Sequence, residues 1–435
     1  MTNEPNEHMM ESQEGQLQRP PSASADLDAT PSAVLFDLVR AQHASTRPEL
    51  VTISGLGRKA VTQRVAHLVE VGLLMETGKV AADRGRPVRT LAVDPRAGHV
   101  VAVIVGSTEI SLARVDLLGR VISTAQCLWE VEQGPERTMG RLKGLLEETA
   151  PPVRGQAPWA IALGLPGPVE FSTTRLVAPP IMPGWDGFSP RAWLRERYDA
   201  PVWADNHVHL MALGEWHASP EPRRDLLFIE VGVDVGAGLM IDGRILRGDR
   251  GGAGAIGHIR VTDDAARCRC GKTGCLEASA GGWAILAKAT SRASESAGLS
   301  RVLRTRALTL QDIGNAAQDG DPLVLNILHQ AAAEVSKVAS NLVTFTNPGE
   351  VVLGGGVLNA GEDFLRTLDE TIRETSADLV TERLVVRSST LTDGYGIVGA
   401  GRLGLDAILS PMSLARWLPS RTPLAHGAEL QRIAR

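Results

Sequence analysis

Short apolar runs that alternate with helical patterns are the feature that most constrains the fold of this 435-residue chain. The runs VVAVIV, WAIALGL, LLFIEVGV and VVLGGGV begin at residues 100, 159, 226 and 351. They lack the polar alternation of half-exposed strands, which is typical of strands buried on both faces. Helical patterns separate them, including a long region over about 278–347. The pattern predicts an α/β architecture and is compatible with two similar βα halves.

Composition and charge place the chain among globular proteins. With 43% hydrophobic and 22% charged residues, it can bury a large core, and its length predicts two or three domains. The apolar runs are too short to span a bilayer, and the first residues do not combine a basic start with an apolar stretch. We therefore expect a cytoplasmic protein with no membrane partner.

The two ends of the chain differ from its middle. Residues 1–30 contain six acidic side chains, one Arg and almost no large apolar residues, so we expect a disordered tail. Residues 31–92 are expected to form a basic DNA-binding domain, residues 97–410 an effector and oligomerisation domain, and residues 411–435 a carboxyl-terminal tail.

Residues 31–72 predict a helix-turn-helix. The segments SAVLFDLVRAQ, TRPELVTISGL and GRKAVTQRVAHLVEVGLL read as three helices, and Val61, Val65, Leu68 and Gly72 recur at the spacing of a buried stripe. Basic and amide side chains off this stripe are positioned to read base edges in a major groove. An ordinary solvated helix face is the alternative. The candidate DNA contacts are Arg58, Lys59, Thr62, Gln63 and Arg64.

A predicted β-hairpin follows the third helix. The segment METGKVAADRGRPVRTLAV has strand-like ends around a turn-rich tip. That tip carries Arg84, Gly85 and Arg86, which would fit a narrow, A/T-rich minor groove. A helix-turn-helix with a basic wing is more specific than either part alone, so we expect double-stranded operator DNA as a partner.

Three of the four cysteines lie close together and downstream of a histidine. His258, Cys268, Cys270 and Cys275 have the spacing H-x9-C-x-C-x4-C, and three thiolates with one imidazole match a closed tetrahedral zinc site. Such a site stabilises structure and leaves no open position for catalysis, so we predict structural Zn²⁺. Three buried free thiols are the alternative. The nearby GKTG is not a phosphate-binding P-loop, because Ala266 stands where that loop needs Gly.

Several segments resemble the ROK family, named for repressor, open reading frame and kinase. The metal segment reads AGAIGH at 253–258 and CRCGKTGCLE at 268–277, and ALGLPGPVE, GAGLMIDGRILRG and LGGGV begin at 162, 236 and 353. The resemblance implies a two-lobed, actin-like or sugar-kinase-type α/β domain. An amino-terminal winged helix-turn-helix is typical of the family's transcriptional regulators, since its kinases generally lack one.

The chain departs from the kinases of the family at the residues that carry phosphoryl transfer. The resemblance places His207 at the position of the catalytic Asp, Ile104 at the Asp of the first phosphate turn, and Val233 and Asp234 in the second phosphate loop. Losing the base and altering both loops argues against catalysis. We therefore predict no catalytic residues and no enzyme activity. A sugar kinase fused to a DNA-binding domain, with His207 as the base, is the alternative.

The stretch DNHVH at 205–209 predicts a modified ligand site. If Asp205 or Asn206 caps a helix, His207 and His209 point to opposite sides and cannot share a metal ion. His207 at a helix amino terminus is expected to be neutral. Simple packing of both histidines is the alternative.

The resemblance also implies which residues contact a sugar, and two of the family's acceptors are replaced by His207 and Ala255. An ordinary hexose should therefore bind weakly, which leaves open a modified or phosphorylated sugar, another small molecule, or no effector. We predict a repressor that forms a homodimer or homotetramer, since a symmetric operator matches a two-fold protein. The candidate ligand contacts are Pro166, Gly167, Asn206, His207, His258 and Glu277.

Overall fold

The computed structural model describes residues 30–80, 87–149, 157–219, 224–263, 266–391 and 395–433. Within these ranges, no helix combines the length and the apolar character needed to cross a bilayer. The chain forms an amino-terminal module, two lobes that are each built on a five-stranded sheet, and a carboxyl-terminal helical segment. Single 3-10 turns occur at Val131–Gln133, Ile256–His258, Ala293–Glu295, Gly356–Ala360 and Leu418–Ser420.

The amino-terminal module is a three-helix unit with a hairpin, as the sequence predicted. The strands of the hairpin pair antiparallel. Thr46 and Glu49 form a capping box at the start of the second helix, a motif in which side chains satisfy otherwise free backbone N–H groups. The elements are α1 (Pro31–Arg40), α2 (Arg47–Ser54), α3 (Arg58–Glu70), β1 (Leu74–Val80) and β2 (Val88–Val93).

Helix α3 buries most of the predicted apolar stripe. Val61, Val65 and Leu68 are fully buried, which confirms three of the four positions. The fourth, Gly72, lies beyond the end of α3 in a turn with φ of +79°. Glycine reaches this left-handed region without steric cost, so Gly72 ends the helix and does not extend the stripe.

The first lobe has its sheet in the order β5-β4-β3-β6-β9. The first three strands in sequence pair antiparallel, and β6 and β9 are added parallel to β3. Strand β6 is buried along its whole length, as an interior parallel strand requires. The elements are β3 (His99–Val105), β4 (Glu109–Asp116), β5 (Val121–Leu128), α4 (Pro135–Thr149), β6 (Ala160–Leu165), β7 (Val169–Glu170), β8 (Arg175–Leu176), α5 (Pro190–Arg195) and β9 (Val202–Asn206).

The second lobe repeats this plan, with the sheet order β12-β11-β10-β13-β14. Strands β10, β11 and β12 pair antiparallel, and β13 and β14 are added parallel to β10. The two similar halves are therefore present in the fold. The elements are α6 (His207–Ala218), β10 (Leu226–Val231), β11 (Val235–Ile241), β12 (Arg244–Ile245), α7 (Leu276–Ala280), α8 (Gly282–Ser291), α9 (Ala297–Leu303), α10 (Leu310–Gln318), α11 (Pro322–Thr346), β13 (Glu350–Gly354), α12 (Asp363–Thr375), α13 (Asp378–Thr381), β14 (Val385–Ser388) and α14 (Tyr395–Leu409).

Helices α6 and α14 lie between the two sheets. Helix α14 packs on β3 and β6 of the first lobe, and α6 packs on β10 and β11 of the second. The helices approach each other so closely that a Cβ atom on Gly399 would lie 1.7 Å from the carbonyl oxygen of Leu210. Residues 208–215 of α6 are all buried, as expected for a helix enclosed on every side.

The segment after α14 folds back onto the protein, so the prediction of a tail over 411–435 is wrong for the described part of it. Helices α15 (Pro411–Trp417) and α16 (Gly427–Ile433) form there, and α15 packs on α1. Leu414, Trp417 and Leu430 are buried. Burying side chains of this size typically contributes about 1.5–3 kcal/mol each, enough to hold the segment in place.

Candidate effector cleft, metal centre and DNA-binding surface

The structure brings the four predicted metal ligands together. The ligand atoms of His258, Cys268, Cys270 and Cys275 all lie within 4.8 Å of one another. The two sulfurs of Cys270 and Cys275 are 3.7 Å apart, and Nδ1 of His258 lies 3.8 Å from the sulfur of Cys268. Zinc–ligand bonds of about 2.0–2.3 Å in a tetrahedron place ligand atoms roughly 3.5–3.8 Å apart. The cluster therefore has the donor set and the spacing to hold a metal ion.

Backbone turns shape the loop that carries the cysteines. The amide of Gly271 donates to the carbonyl oxygen of Cys268 at 2.9 Å, and Gly271 has a φ of +87°. At Gly274, with φ of +72°, a Cβ atom would lie 2.1 Å from the carbonyl oxygen of Thr262. Glycine is needed at both turns, which explains why the loop reads CGKTGC between its last two cysteines.

Asn206 caps α6, so of the two residues that the sequence offered as a cap, Asp205 and Asn206, it is the second that takes this role. Its side-chain oxygen accepts a hydrogen bond from the amide of Val208 at 2.8 Å. Its side-chain nitrogen donates to the carbonyl oxygen of Gly167 at 2.9 Å. The cap therefore ties the start of α6 to the segment after β6 and orients Asn206 at the edge of a cleft between the lobes.

His207 forms an ion pair that the sequence did not reveal. Its Nε2 lies 3.0 Å from Oε2 of Glu230, and its Nδ1 lies 3.1 Å from the carbonyl oxygen of Leu165. Burial lowers the pKa of His207, but the Glu230 carboxylate and the Leu165 carbonyl outweigh burial and raise the pKa to about 9. The prediction of a neutral ring is therefore wrong, because a carboxylate at hydrogen-bond distance outweighs a helix dipole.

His209 points away from His207 and has separate partners. Its Nδ1 lies 2.8 Å from Oδ1 of Asp205, and its Nε2 lies 2.9 Å from the carbonyl oxygen of Ala253. Burial raises the pKa of Asp205, but Arg247 and His209 lower it overall to about 2. The two histidines of DNHVH therefore do not form a metal site, and His209 with Asp205 is part of the packed interior.

A cleft between the lobes brings together all six predicted ligand residues. The cavity itself is about 90 Å³, which is smaller than the usual small-molecule site. Ala255, which replaces an acceptor of the family's sugar pattern, also lines it. The predicted residues that line the cleft are Pro166, Gly167, Asn206, His207, His258 and Glu277.

Acidic side chains also line the same cleft. One of them was missed from the sequence, and the others were interpreted only in part. Glu230 and Asp234 join Glu277 there. Arg269, from the metal loop, pairs with Asp234 and lies 3.4 Å from Oε1 of Glu277. Trp283 donates its ring N–H to the same Glu277 oxygen at 3.2 Å. The signal for Glu230 was a lone acid within the apolar strand LLFIEV, although nothing in the sequence named its partner.

The first predicted phosphate turn is filled by apolar packing. Ile104, the penultimate residue of β3, stands where the family resemblance places the kinase Asp, and a Cβ atom added to Gly164 would lie 2.5 Å from its Cδ1. A Cβ atom on Gly396 of α14 would lie 3.0 Å from the same side chain. The Ile104 side chain therefore occupies a space between β6 and α14 where a carboxylate would have no favourable partner.

The predicted major-groove residues lie along one exposed face of α3. Arg58, Lys59, Thr62 and Gln63 are exposed, whereas Arg64 is half-buried. Within the described part of the chain, the buried Nε of Arg64 has no hydrogen-bond partner. The first four side chains are therefore free to contact a nucleic acid surface, and Arg64 is less accessible.

An ion pair fixes the hairpin to α2. Glu76 of β1 accepts a hydrogen bond from Arg47 of α2 at 2.7 Å and also pairs with Arg89 of β2. These contacts set the direction in which the hairpin extends. Its predicted tip residues, Arg84, Gly85 and Arg86, lie outside the described residues.

Comparison with known proteins agrees with this architecture. The model of the ROK family matches residues 100–407. A glucokinase from Halalkalibacterium halodurans is 30% identical over 310 residues, covering 70% of this chain and 94% of the glucokinase. A xylose repressor from Caldicellulosiruptor bescii is 27% identical over 372 residues, covering 84% of this chain and 92% of the repressor.

Solved structures share the fold. The crystal structure of a ROK family transcriptional regulator, described as a homologue of the Escherichia coli MLC protein, superposes with a TM-score of 0.76 at 23% identity. The superposition covers 89% of this chain and 98% of that one, so the amino-terminal module is shared as well as the two lobes. Because the family model spans both lobes from β3 to α14, the chain belongs to the ROK family.

Proposed function

We propose that this protein is a DNA-binding transcriptional regulator, and specifically a repressor, whose ROK domain responds to a small molecule. The observation that carries the proposal is the exposed face of α3, with Arg58, Lys59, Thr62 and Gln63, on a module joined to a ROK domain. Arginine and glutamine on such a face can form bidentate contacts with base edges. The similarity to a xylose repressor over 84% of the chain supports the same function.

The effector is proposed to bind in the cleft between the lobes. Asn206, His258 and Glu277 supply polar contacts, while Pro166 and Gly167 line the cleft beside the start of α6. His207 and Ala255 replace two charged acceptors, each worth about 1.5–3 kcal/mol in hydrogen bonding, so an unmodified hexose should bind weakly. We propose a sugar derivative or another small polar molecule as the effector.

We propose that the ROK domain is not catalytic. A protonated His207 that donates to Glu230 cannot accept a proton from a substrate hydroxyl, and a general base must do so. Ile104 offers no charge to a metal-bound phosphate, and Asp234 adds negative charge where the phosphates would lie. These substitutions remove the positioning and charge stabilisation on which phosphoryl transfer depends.

A sugar kinase with an added DNA-binding module is the second candidate. The glucokinase similarity, at 30% identity over most of both lobes, favours it. An ADP-release assay with a panel of hexoses separates the candidates. Sugar-dependent ADP release by the wild-type protein, lost in His207→Gln, would establish the kinase, whereas we expect none above the rate without sugar.

We propose that His258, Cys268, Cys270 and Cys275 hold a structural zinc ion. The four-ligand set leaves no open position, so the ion would stabilise the loop and would not activate water. We further propose that the protein is cytoplasmic and acts as a homodimer or homotetramer, since two modules on a two-fold axis match a symmetric operator.

The proposed function is tested by selecting duplexes from a random DNA pool with the purified protein. We expect a single, two-fold symmetric motif, with binding that weakens steeply as salt concentration rises because phosphate contacts release counterions. A protein with Arg58, Lys59 and Gln63 all changed to Ala should select no motif. Failure of the wild-type protein to enrich any sequence would overturn the proposal.

A further inference from the structure

A chain of polar contacts joins the core of the ROK domain to the DNA-binding module. At the end of α6, Nε2 of His217 accepts a hydrogen bond from Nε of Arg402 on α14 at 3.0 Å. The same Arg402 nitrogen lies 3.2 Å from Oδ2 of Asp406, one turn later on α14. Arg40, at the end of α1, donates to Oδ1 of Asp406 at 2.8 Å. Asp406 therefore contacts groups from two domains at once.

Helix α6 connects this cluster to the cleft. It begins at His207, which lines the cleft, and ends at Ala218, next to His217 of the cluster. A helix of this length is about 18 Å long. If a change at the amino terminus of α6 moves the whole helix, it also moves His217 and the contacts around Asp406.

Close contacts along α6 favour movement of the whole helix as a rigid body when its amino terminus is displaced. Gly399 of α14 lies against the Leu210 carbonyl, as described above, and a Cβ atom on Gly238 of β11 would lie 2.5 Å from Cβ of Ala212. Helices packed at this distance move together, because tightly packed contacts do not deform continuously. A shift of α6 therefore carries α14, and Asp406 with it.

On the α1 side, the contact is held in a defined orientation. Nε and NH2 of Arg40 lie 3.3 and 3.1 Å from Oδ1 of Asp37, one turn earlier on the same helix. The guanidinium therefore bridges a carboxylate of its own helix and one of α14. A planar group fixed at both edges transmits changes in position better than a single flexible ion pair.

We propose that Asp406 is a positioning residue that couples the cleft to the DNA-binding module, through the contacts His217–Arg402–Asp406–Arg40. The proposal rests on the proposed function and names the route of its regulation. A change at the start of α6 alters the position of Asp406, and Arg40 transfers that change to α1 and so to α3, which packs on α1.

The test uses a perturbation of the cleft that needs no identified effector. Glu230→Gln removes the charge opposite His207 and so changes the start of α6. Hydrogen exchange of the amides of α1, and affinity for a duplex selected by the wild-type protein, are measured with and without Glu230→Gln in four backgrounds: wild type, Asp406→Asn, Arg40→Gln and Arg421→Ala. The last is the matched control, because Arg421 pairs with Glu70 of α3 at 2.8 Å, so that its substitution removes a different ion pair between the module and the rest of the chain.

We expect Glu230→Gln to change α1 exchange and to shift DNA affinity by about 5-fold or more in the wild-type and Arg421→Ala backgrounds. In Asp406→Asn and Arg40→Gln, the shift should fall to less than about 2-fold. An undiminished shift in both of these backgrounds overturns the route, and so does an unchanged α1 in the wild-type background. Circular dichroism verifies that each variant folds. If the wild-type protein binds no DNA, the proposed function fails, while the exchange measurement still tests the coupling.

Discussion

The Nε2 atom of His207 lies 3.0 Å from Oε2 of Glu230, so the residue that the family resemblance places at a kinase base is one half of an ion pair between α6 and β10. The pair links the first residue of α6 to the middle of the second sheet. A base that is already protonated and engaged cannot take up another proton, and the proposal that the ROK domain is not catalytic rests on this contact.

This ion pair predicts a loss of stability at alkaline pH. The pKa of His207 rises from an ordinary 6.5 to about 9 in the folded protein. The pair therefore contributes fully to the free energy of unfolding below pH 6.5, and this contribution is lost as pH rises through 9. The shift corresponds to on the order of 3 kcal/mol. Urea denaturation between pH 6 and 10 should show this decline in the wild type and a smaller decline in His207→Gln. Parallel curves for the two proteins would contradict the assignment.

Restoring the family's sugar acceptors should require a third substitution. His207→Asp with Ala255→Glu returns two carboxylates, but the first of them would face the negative charge of Glu230, which disfavours ionisation of a second carboxylate nearby. We therefore expect calorimetry with glucose, N-acetylglucosamine and xylose to detect weak binding in this double variant and clearly stronger binding once Glu230→Gln is added.

Neither of these variants should release ADP, because Ile104 and Asp234 still prevent ATP and its metal from being held in line with the sugar. The wild-type protein serves as the control. Tight hexose binding by the wild type would show that His207 and Ala255 already form a working sugar pocket.

If the cluster holds zinc, substituting one cysteine should strongly affect metal content and stability, and substituting another should have little effect. Cys270→Ser removes one of four ligands, so the protein should lose bound zinc and unfold at a lower temperature, since metal binding is coupled to folding. Cys127→Ser is the control, because Cys127 lies on β5 outside the cluster. Elemental analysis and thermal unfolding measure both effects. Purified wild-type protein without metal would refute the prediction.

The DNA-binding surface predicts distinct roles for helix and wing. Gln63→Ala should change base preference within the half-site, at a cost of about 1–3 kcal/mol for the preferred sequence. Lys59→Ala should lower the affinity for all DNA sequences alike and reduce the salt dependence of binding. Arg86→Ala should lower the affinity only for operators with A/T-rich flanks. Fluorescence anisotropy on matched duplexes distinguishes these outcomes, and equal affinities across the three variants would contradict this docking.

Local patterns predicted much of the site because the responsible residues are close in sequence. The cysteine loop and its histidine lie within eighteen residues, from 258 to 275, and Asn206 caps the helix that begins with the next residue. Strands β3, β6, β10 and β13 were visible as apolar runs for the same reason. Short-range signals of this kind depend on backbone geometry that a few residues determine.

Long-range pairs escaped prediction. The charge of His207 depends on Glu230, 23 residues away on another element, and no spacing rule connects the two. Residues 411–435 were predicted to be a tail, yet Trp417 of this segment packs edge-on against Trp159, with ring centroids 5.2 Å apart. The large aromatic side chain of Trp417 was the overlooked signal, since leaving it in water is costly.

The contact between Arg40 and Asp406 spans 366 residues of chain, and the packing of α15 on α1 spans a similar distance. A ribosome adds about 5–20 residues per second, so roughly 20–70 s pass between the synthesis of the two sides. During that time the face of α1 that later meets α14 and α15 remains uncovered. The DNA-binding module can fold early, but it reaches its final position only after both lobes have been made, so a nascent chain exposes the α3 surface before the ROK domain exists.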